Sequence, residues 1–410
     1  MNQNTIREIL NRTDCVRFSG SEEEKAAASY LESLCRERGV HAYTESFEVD
    51  TAEVREAVLS ADGREIPCRG YRLCGSSSVT APLCYLPNTD PASAASARGK
   101  IVLLDTGITY WVYQDLLDAG AAGFITYDGN VRYPDRDIDR KTLRPYVSKG
   151  RKVPCVNINA KDALELVRSA PETVSIRVEQ AESVTSSQNV IAELPGRTEE
   201  WIALTAHYDT TPLSHGAYDN MSGCIGLLGI LDALREEAPL RYGLRFIFCG
   251  SEEVGLLGSK AYTEAHEAEL EKTVLNINLD MIGTWMGKFI CCVSAEEKLL
   301  HYIQYLCAIR GWGMSGRQDV YSSDSTPFAD HGVPAVSFAR IAPQSQATIH
   351  NRYDTRDLLS EDQLLRDIGF LADFTRTMAD AARCPVSREI PENVRTRLDE
   401  YLLRKRKAEN

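Results

Sequence analysis

Three things are missing from this chain: an excess of basic residues, a long apolar run and paired cysteines. Across 410 residues, 46 lysines and arginines stand against 59 aspartates and glutamates, a net charge of −13. Nucleic-acid binding needs cationic side chains to displace counterions, so this balance argues against a nucleic-acid partner. No stretch approaches the roughly 20 apolar residues that cross a bilayer, which argues against a membrane protein. The opening MNQNTIREILNRTD is polar and has no apolar leader core. The 12 cysteines are scattered without a Cys-x-x-Cys pair, and Cys224, Cys249, Cys291 and Cys292 lie in apolar runs, as buried free thiols do. The expectation is a cytoplasmic protein with reduced cysteines. No repeat at solenoid spacing is present. What remains is ordinary for a globular protein, with 43% hydrophobic and 26% charged residues and length enough for two or three domains.

Residues 21–38, SEEEKAAASYLESLCRER, form the clearest helix: Ser21 and Glu24 make a capping box and Gly39 stops it. VHAYTESFEVD then alternates like a strand. From about residue 60 short β-like runs appear between Pro, Gly and Ser. GKIVLLDTG, WVYQDLLDAGAAG and FITYDGN read as one strand–helix–strand unit, and RYPDRDIDRKTLRPYVSKGRK as an exposed loop. VPCVNIN, the helix AKDALELVRSA and the strand TVSIRVE follow, and SVTSSQ reads as a linker. An inserted module is therefore expected over 60–183, inside a main domain made of 1–59 and 184–384. From Asn189 onward, NVIAELPG, WIALTAH, LRFIFCG, TVLNINLD and PAVSFAR alternate with helical segments. Such apolar runs suit an α/β fold whose sheet is mostly parallel and covered on both faces. The tail, 385–410, reads as an amphipathic helix whose basic end is a solvated charge run.

In open α/β sheets ligands bind at the carboxyl ends of the strands. His207, the Glu252–Glu253 pair and Asp280 each follow an apolar run directly, so the topology brings imidazole and carboxylates together from distant parts of the chain. Burying several carboxylates without a cation is costly, and bound metal is the economical explanation. His207-x-Asp209 places both side chains on one face of a strand end, with Asp209 suited to orient a metal-bound imidazole. Of the adjacent Glu252 and Glu253, one can bind metal while the other moves protons. Asp219, at a helix start, suits a carboxylate shared by two ions; capping of its helix is the plainer alternative.

HYDT, GAYDNMSG, CGSEEVGLLGS, NLDMIG and IHNRYDT, in that order, resemble the bi-zinc aminopeptidases of peptidase family M28. SDSTPFADHGVPAV, the NVIAELPG strand and the SGSEEEKAAASYLESLCRERG helix extend the resemblance over some 250 residues. More weakly, ARGKIVLLDTG, AGAAGFITYDGN and VPCVNIN resemble a protease-associated domain, the β-rich module often inserted in these enzymes. The resemblance implies a three-layer α/β/α zinc-exopeptidase fold with a mixed, mostly parallel sheet. It implies one zinc on His207 and Asp280, a second on Glu253 and His350, and Asp219 bridging the two; manganese or cobalt are acceptable substitutes. It further assigns Glu252 as general acid/base, Asp209 as the carboxylate behind His207, an acidic residue four positions after His350, and a cis peptide after Asp219. Some relatives place a tyrosine oxyanion donor just before the last ligand; here Ile349 stands there, and Tyr321 is the candidate for that role, with plain packing as the alternative.

The expected partner is a peptide with a free N-terminus, and self-association is left open. Two other classes share this scaffold's chemistry. A carboxypeptidase-like hydrolase could use Arg340 or Arg352 to clamp a carboxylate, and a glutaminyl cyclase uses a single zinc, against which intact His207 and Asp219 count. A non-catalytic peptide binder would have lost ligands, and none is missing.

Overall fold

The computed structural model describes residues 1–131, 138–237 and 239–407. The chain divides into two compact units, Met1–Val49 with Ser186–Asn410, and Asp50–Thr185. Their boundaries fall inside two 21-residue strands that run from one unit into the other, β1 (His41–Ala61) and β2 (Val174–Leu194). The smaller unit accordingly begins ten residues before the expected 60.

The larger unit is built on a sheet. After β1 and β2 come β3 (Trp201–His207), β4 (Gly243–Cys249), β5 (Thr273–Leu279), β6 (Lys288–Ser294), β7 (Ser315–Gln318) and β8 (Ala335–Ile341). Their order across the sheet is β7-β6-β8-β5-β3-β4-β2-β1. β3 pairs in parallel with β4 and β5, and β5 with β8, while β6 and β2 run antiparallel to β8 and β4. Alternate side chains point to opposite faces, as strand geometry requires. Ile202, Leu204 and Ala206 of β3 join one apolar core, and Ala203 joins a second with Ile247 and Cys249 of β4. The first core is completed by helices α1 (Gln3–Arg12), α2 (Glu22–Glu37), α3 (Ser222–Leu234), α5 (Glu297–Ile309) and α7 (Glu361–Ala379). The second is completed by Tyr262 of α4 (Leu257–Ala265) and Phe328 of α6 (Ser325–Asp330). Two covered faces on a mixed, mostly parallel sheet make the three-layer α/β/α arrangement.

The smaller unit holds a five-stranded sheet of its own. Leu83–Leu86, Ile101–Leu104, Gly123–Asp128 and Cys155–Asn159 run parallel, and Cys68–Gly70 pairs antiparallel at the edge. Helix Tyr110–Asp118 joins the strands at 101 and 123, and helix Ala160–Ser169 follows the last.

One reading of the sequence needs correction. SVTSSQ, where the two units divide between Thr185 and Ser186, is not irregular; it lies within β2, with Val184 59% exposed and Ser187 buried. Its polarity records exposure, and β-branched and hydroxyl side chains sit comfortably in a strand. The C-terminal tail forms the expected helix, α8 (Glu392–Tyr401), and the basic residues after it, Arg404 to Lys407, are exposed. Arg404 donates both guanidinium amines to Asp330, each at 2.6 Å. Residues 132–137 of the expected exposed loop and 408–410 of the tail lie outside the described residues. No helix among the described residues is long and apolar enough to cross a membrane.

Candidate active site

Because β3, β4, β5 and β8 are parallel neighbours, their carboxyl ends share one edge. His207 closes β3 opposite Cys249 of β4; Asp280 follows β5; the segment after β8 carries His350. The Nε2 of His207 lies 3.2 Å from Asp219 Oδ1 and 3.8 Å from Asp280 Oδ1. The other oxygen of Asp219 is 3.1 Å from the Nε2 of His350, which is 3.2 Å from Glu253 Oε2. Asp219 thus faces a different histidine with each oxygen. The arrangement yields two donor groups, His207–Asp219–Asp280 and Asp219–Glu253–His350, each with its ligand atoms within 4.8 Å of one another. All but His350, whose side chain is 48% exposed, are buried.

Glu252 belongs to neither group, and its Oε2 is 3.9 Å from His207 Nε2. Adjacent residues diverge here because the turn is sharp: Ser251 has φ +55°, a left-handed conformation. Three buried carboxylates hold the backbone around the cluster. Asp209, 3.4 Å from His207 Nδ1, accepts from the N–H groups of Glu252 and Glu253 at 2.9 and 3.1 Å. Asp354, four positions after His350, accepts from the N–H groups of Tyr218 and Asp219 at 2.8 and 3.0 Å. Glu24 accepts from Gly20 N–H, Ser251 N–H and the hydroxyls of Ser187 and Ser251. Asn220, joined to Asp219 through the expected cis peptide, bonds Leu279 and Met281 and so ties the bridge position to the Asp280 turn. Arg17, fully buried, donates to the carbonyls of Tyr208, His215 and Gly216 and fixes the stretch between His207 and Asp219.

The electrostatics reflect crowded acids. Burial works against protonation of His207, but the charge of Glu252 and the nearby carboxylates of Asp209, Asp219 and Asp280 raise its pKa well above the ordinary value. Burial pulls Asp219 upward, yet its two histidines hold it below the usual carboxylate range. Burial, then the charge of Asp219, pushes Glu253 up to about 8, and burial raises Glu252 as well. Asp280 Oδ1 is buried and accepts no hydrogen bond. Clustered carboxylates with an orphaned oxygen beside imidazole nitrogens are a donor set that suits divalent cations.

Every residue singled out for the metals and for proton transfer therefore lies in one cluster. Tyr321 is partly buried at its margin, and burial together with the charges of Asp280 and Asp219 raises its pKa. Arg340 does not fit the role of a carboxylate clamp: it is paired with the buried Asp367 at 2.6 Å and lies over Phe289 and Trp312. Arg352 is exposed. Glu24 and Arg17 were not legible as site residues. Glu24 was read as a local cap, and only the fold shows that its carboxylate reaches Ser251, more than 200 residues away.

Residues 189–372 match the model of peptidase family M28. Aminopeptidase YwaD of Bacillus subtilis (strain 168) is 28% identical over 367 residues, covering 85% of this chain and 78% of that protein. Leucine aminopeptidase 2 of Trichophyton rubrum is 28% identical over 282 residues, 65% of this chain and 55% of the fungal protein, so the match spans about half of that enzyme. The structure of BSAP, a zinc aminopeptidase from Bacillus subtilis, superposes with a TM-score of 0.75 at 25% identity, covering 95% of this chain and 97% of that one. The five donor residues, from His207 to His350, all lie within residues 189–372, the part of the chain that is similar to peptidase family M28.

Proposed function

We propose that this protein is a metal-dependent aminopeptidase that removes N-terminal residues from peptides. The observation that carries the reading is the pair of donor groups sharing Asp219, with Glu252 3.9 Å from His207 and part of neither. His207 and Asp280 would hold one ion, Glu253 and His350 the other, and Asp219 both; the zinc aminopeptidase relative favours zinc as the metal. When bound, such ions polarise a carbonyl and make a water acidic enough to attack at neutral pH. The chain's own residues do the rest. Glu252 takes a proton from the attacking water as the new C–O bond forms, and delivers it to the amine nitrogen as the C–N bond breaks. Asp209 keeps the His207 ring and the Glu252–Glu253 turn in register. Tyr321 would donate a hydrogen bond to the oxyanion of the tetrahedral intermediate. Arg340, locked onto Asp367, removes one support for carboxypeptidase-like action. We read the smaller unit as a protease-associated-like module and place the protein in the cytoplasm; all 12 cysteines are free thiols.

Two measurements test this. A peptide with a free N-terminus should be shortened from that end, and its N-acetylated form should be inert; equal cleavage of both would overturn the aminopeptidase reading. Glu252→Gln should lower kcat by about 10²–10⁴-fold, the range for general acid–base catalysis, while bound metal is unchanged. Full activity in that variant would mean that another group moves the proton.

A further inference from the structure

We infer that the C-terminal helix α8, which lies beyond the part of the chain matching the family model, is a strap that positions Tyr321. The inference rests on the proposed role of Tyr321 as an oxyanion donor. Tyr321 lies in the segment between β7 and α6, with no regular structure of its own to fix it. Three side chains of the C-terminal helix reach that segment. Asn393 donates to the Gln318 side chain at 2.8 Å. Arg397 donates to the Gln318 carbonyl at 2.8 Å and pairs with Asp319 at 2.9 Å. The hydroxyls of Tyr401 and Ser322 are 2.7 Å apart. Positions 393, 397 and 401 are four apart and therefore share one helix face. They grip the segment three and two residues before Tyr321 and one residue after it.

The strap is itself anchored. Val394 and Leu398 are buried with Ala329, Ala335 and Ile390 in a small apolar cluster, against which the partly buried Val320 packs. Arg404, beyond the helix, forms its two-pronged bond to Asp330 at the end of α6. The Tyr321 carbonyl accepts from the Thr326 hydroxyl and the Ser323 N–H, so the backbone at this point is held from below as well. A hydrogen-bond donor helps a transition state only where it is already in place, and misplacement by about 1 Å can cost 10²-fold. The polar grip of the C-terminal helix on both sides of Tyr321 supplies that placement.

The test uses the full-length, zinc-loaded protein and an aminoacyl p-nitroanilide. Arg397→Ala and Tyr401→Phe are made alone and in a Tyr321→Phe background. Each alone should lower kcat by about tenfold while KM moves less than about twofold, and in the Tyr321→Phe background the further loss should be under about twofold. Amide hydrogen exchange over 318–324 should accelerate in Arg397→Ala while exchange over 201–209 stays unchanged. Equal losses in both backgrounds would mean that the helix acts on general stability and would overturn the strap, as would unchanged kcat. Should the unmutated protein fail to hydrolyse the anilide, the aminopeptidase reading falls separately. Exchange then decides the strap alone: acceleration confined to 318–324 supports it, and unchanged exchange overturns it.

Discussion

The carboxylate of Asp209 receives the N–H groups of both Glu252 and Glu253 while lying 3.4 Å from the Nδ1 of His207. One side chain therefore lies against the imidazole proposed as a metal ligand and holds the backbone from which the proposed proton carrier and second ligand project. An amide at this position can accept one of the two N–H groups but presents an NH2 to the other. Asp209→Asn should lower metal affinity or kcat/KM by about 10–100-fold, the range for partners that orient metal ligands. Titration of zinc into the chelated variant, alongside steady-state kinetics, checks this; wild-type values in both would show the double acceptance to be dispensable. Asp209 was legible because it lies two residues after His207 in a strand-end motif. Asp354 was legible only through the resemblance, since nothing in its own spacing shows that it accepts the Asp219 N–H.

At the scale of elements, the strands were the easiest part to read. β3, β4, β5 and β8 are short apolar runs, and each predicted site residue after them falls on one sheet edge because parallel pairing forces it there. β6 and β7 were not assigned: Cys291 and Cys292 were read only as buried thiols, and SGRQ of β7 has no apolar residue to give a period. Helix α2 was read correctly, from its Ser21 cap to Gly39, and yet its Glu24 was misread. A capping box is a local device, whereas Glu24 is fully buried and spends its oxygens on Gly20, Ser187 and Ser251. Burial pushes its pKa from the model-compound value of 4.5 up to about 8. The folded protein therefore holds this proton over a range in which the unfolded chain has released it. By linkage the contribution to stability is greatest below about pH 4.5 and declines as pH rises to about 8. Glu24→Gln lacks that decline. Its stability relative to wild type should improve by about 2 kcal/mol between pH 6 and pH 8, at roughly 1.4 kcal/mol per unit. Urea unfolding of both metal-loaded proteins at the two pH values gives the difference, in which any pH effect on the metals common to both cancels. A difference independent of pH would show that Glu24 is ionised throughout.

For the whole molecule, the site residues impose a cost that must be met by something outside the chain. Asp219, Glu252, Glu253 and Asp280 are drawn together in a protein that already carries a net charge of −13, and burial, reinforced by neighbouring carboxylates, pushes the pKa values of Glu252 and Glu253 up. Two divalent ions would relieve that cost, and binding to the folded state alone stabilises by about 4 kcal/mol when free metal exceeds Kd a thousandfold. Both donor groups lie in Met1–Val49 with Ser186–Asn410, and Asp50–Thr185 contributes no member to either. The smaller unit also has an apolar core of its own, centred on residues such as Val102, Phe124 and Val156. Chelation should therefore lower the melting midpoint of the larger unit by on the order of 10 °C and leave the transition of the smaller unit where it was. Scanning calorimetry with and without chelator, followed by zinc, manganese or cobalt add-back, measures both transitions, and zinc should restore the larger one. A midpoint indifferent to chelation would mean that the carboxylates are held apart by protonation instead. In that case the midpoint would fall as pH rises through the raised pKa values, because each carboxyl that loses its proton adds an unpaired buried charge.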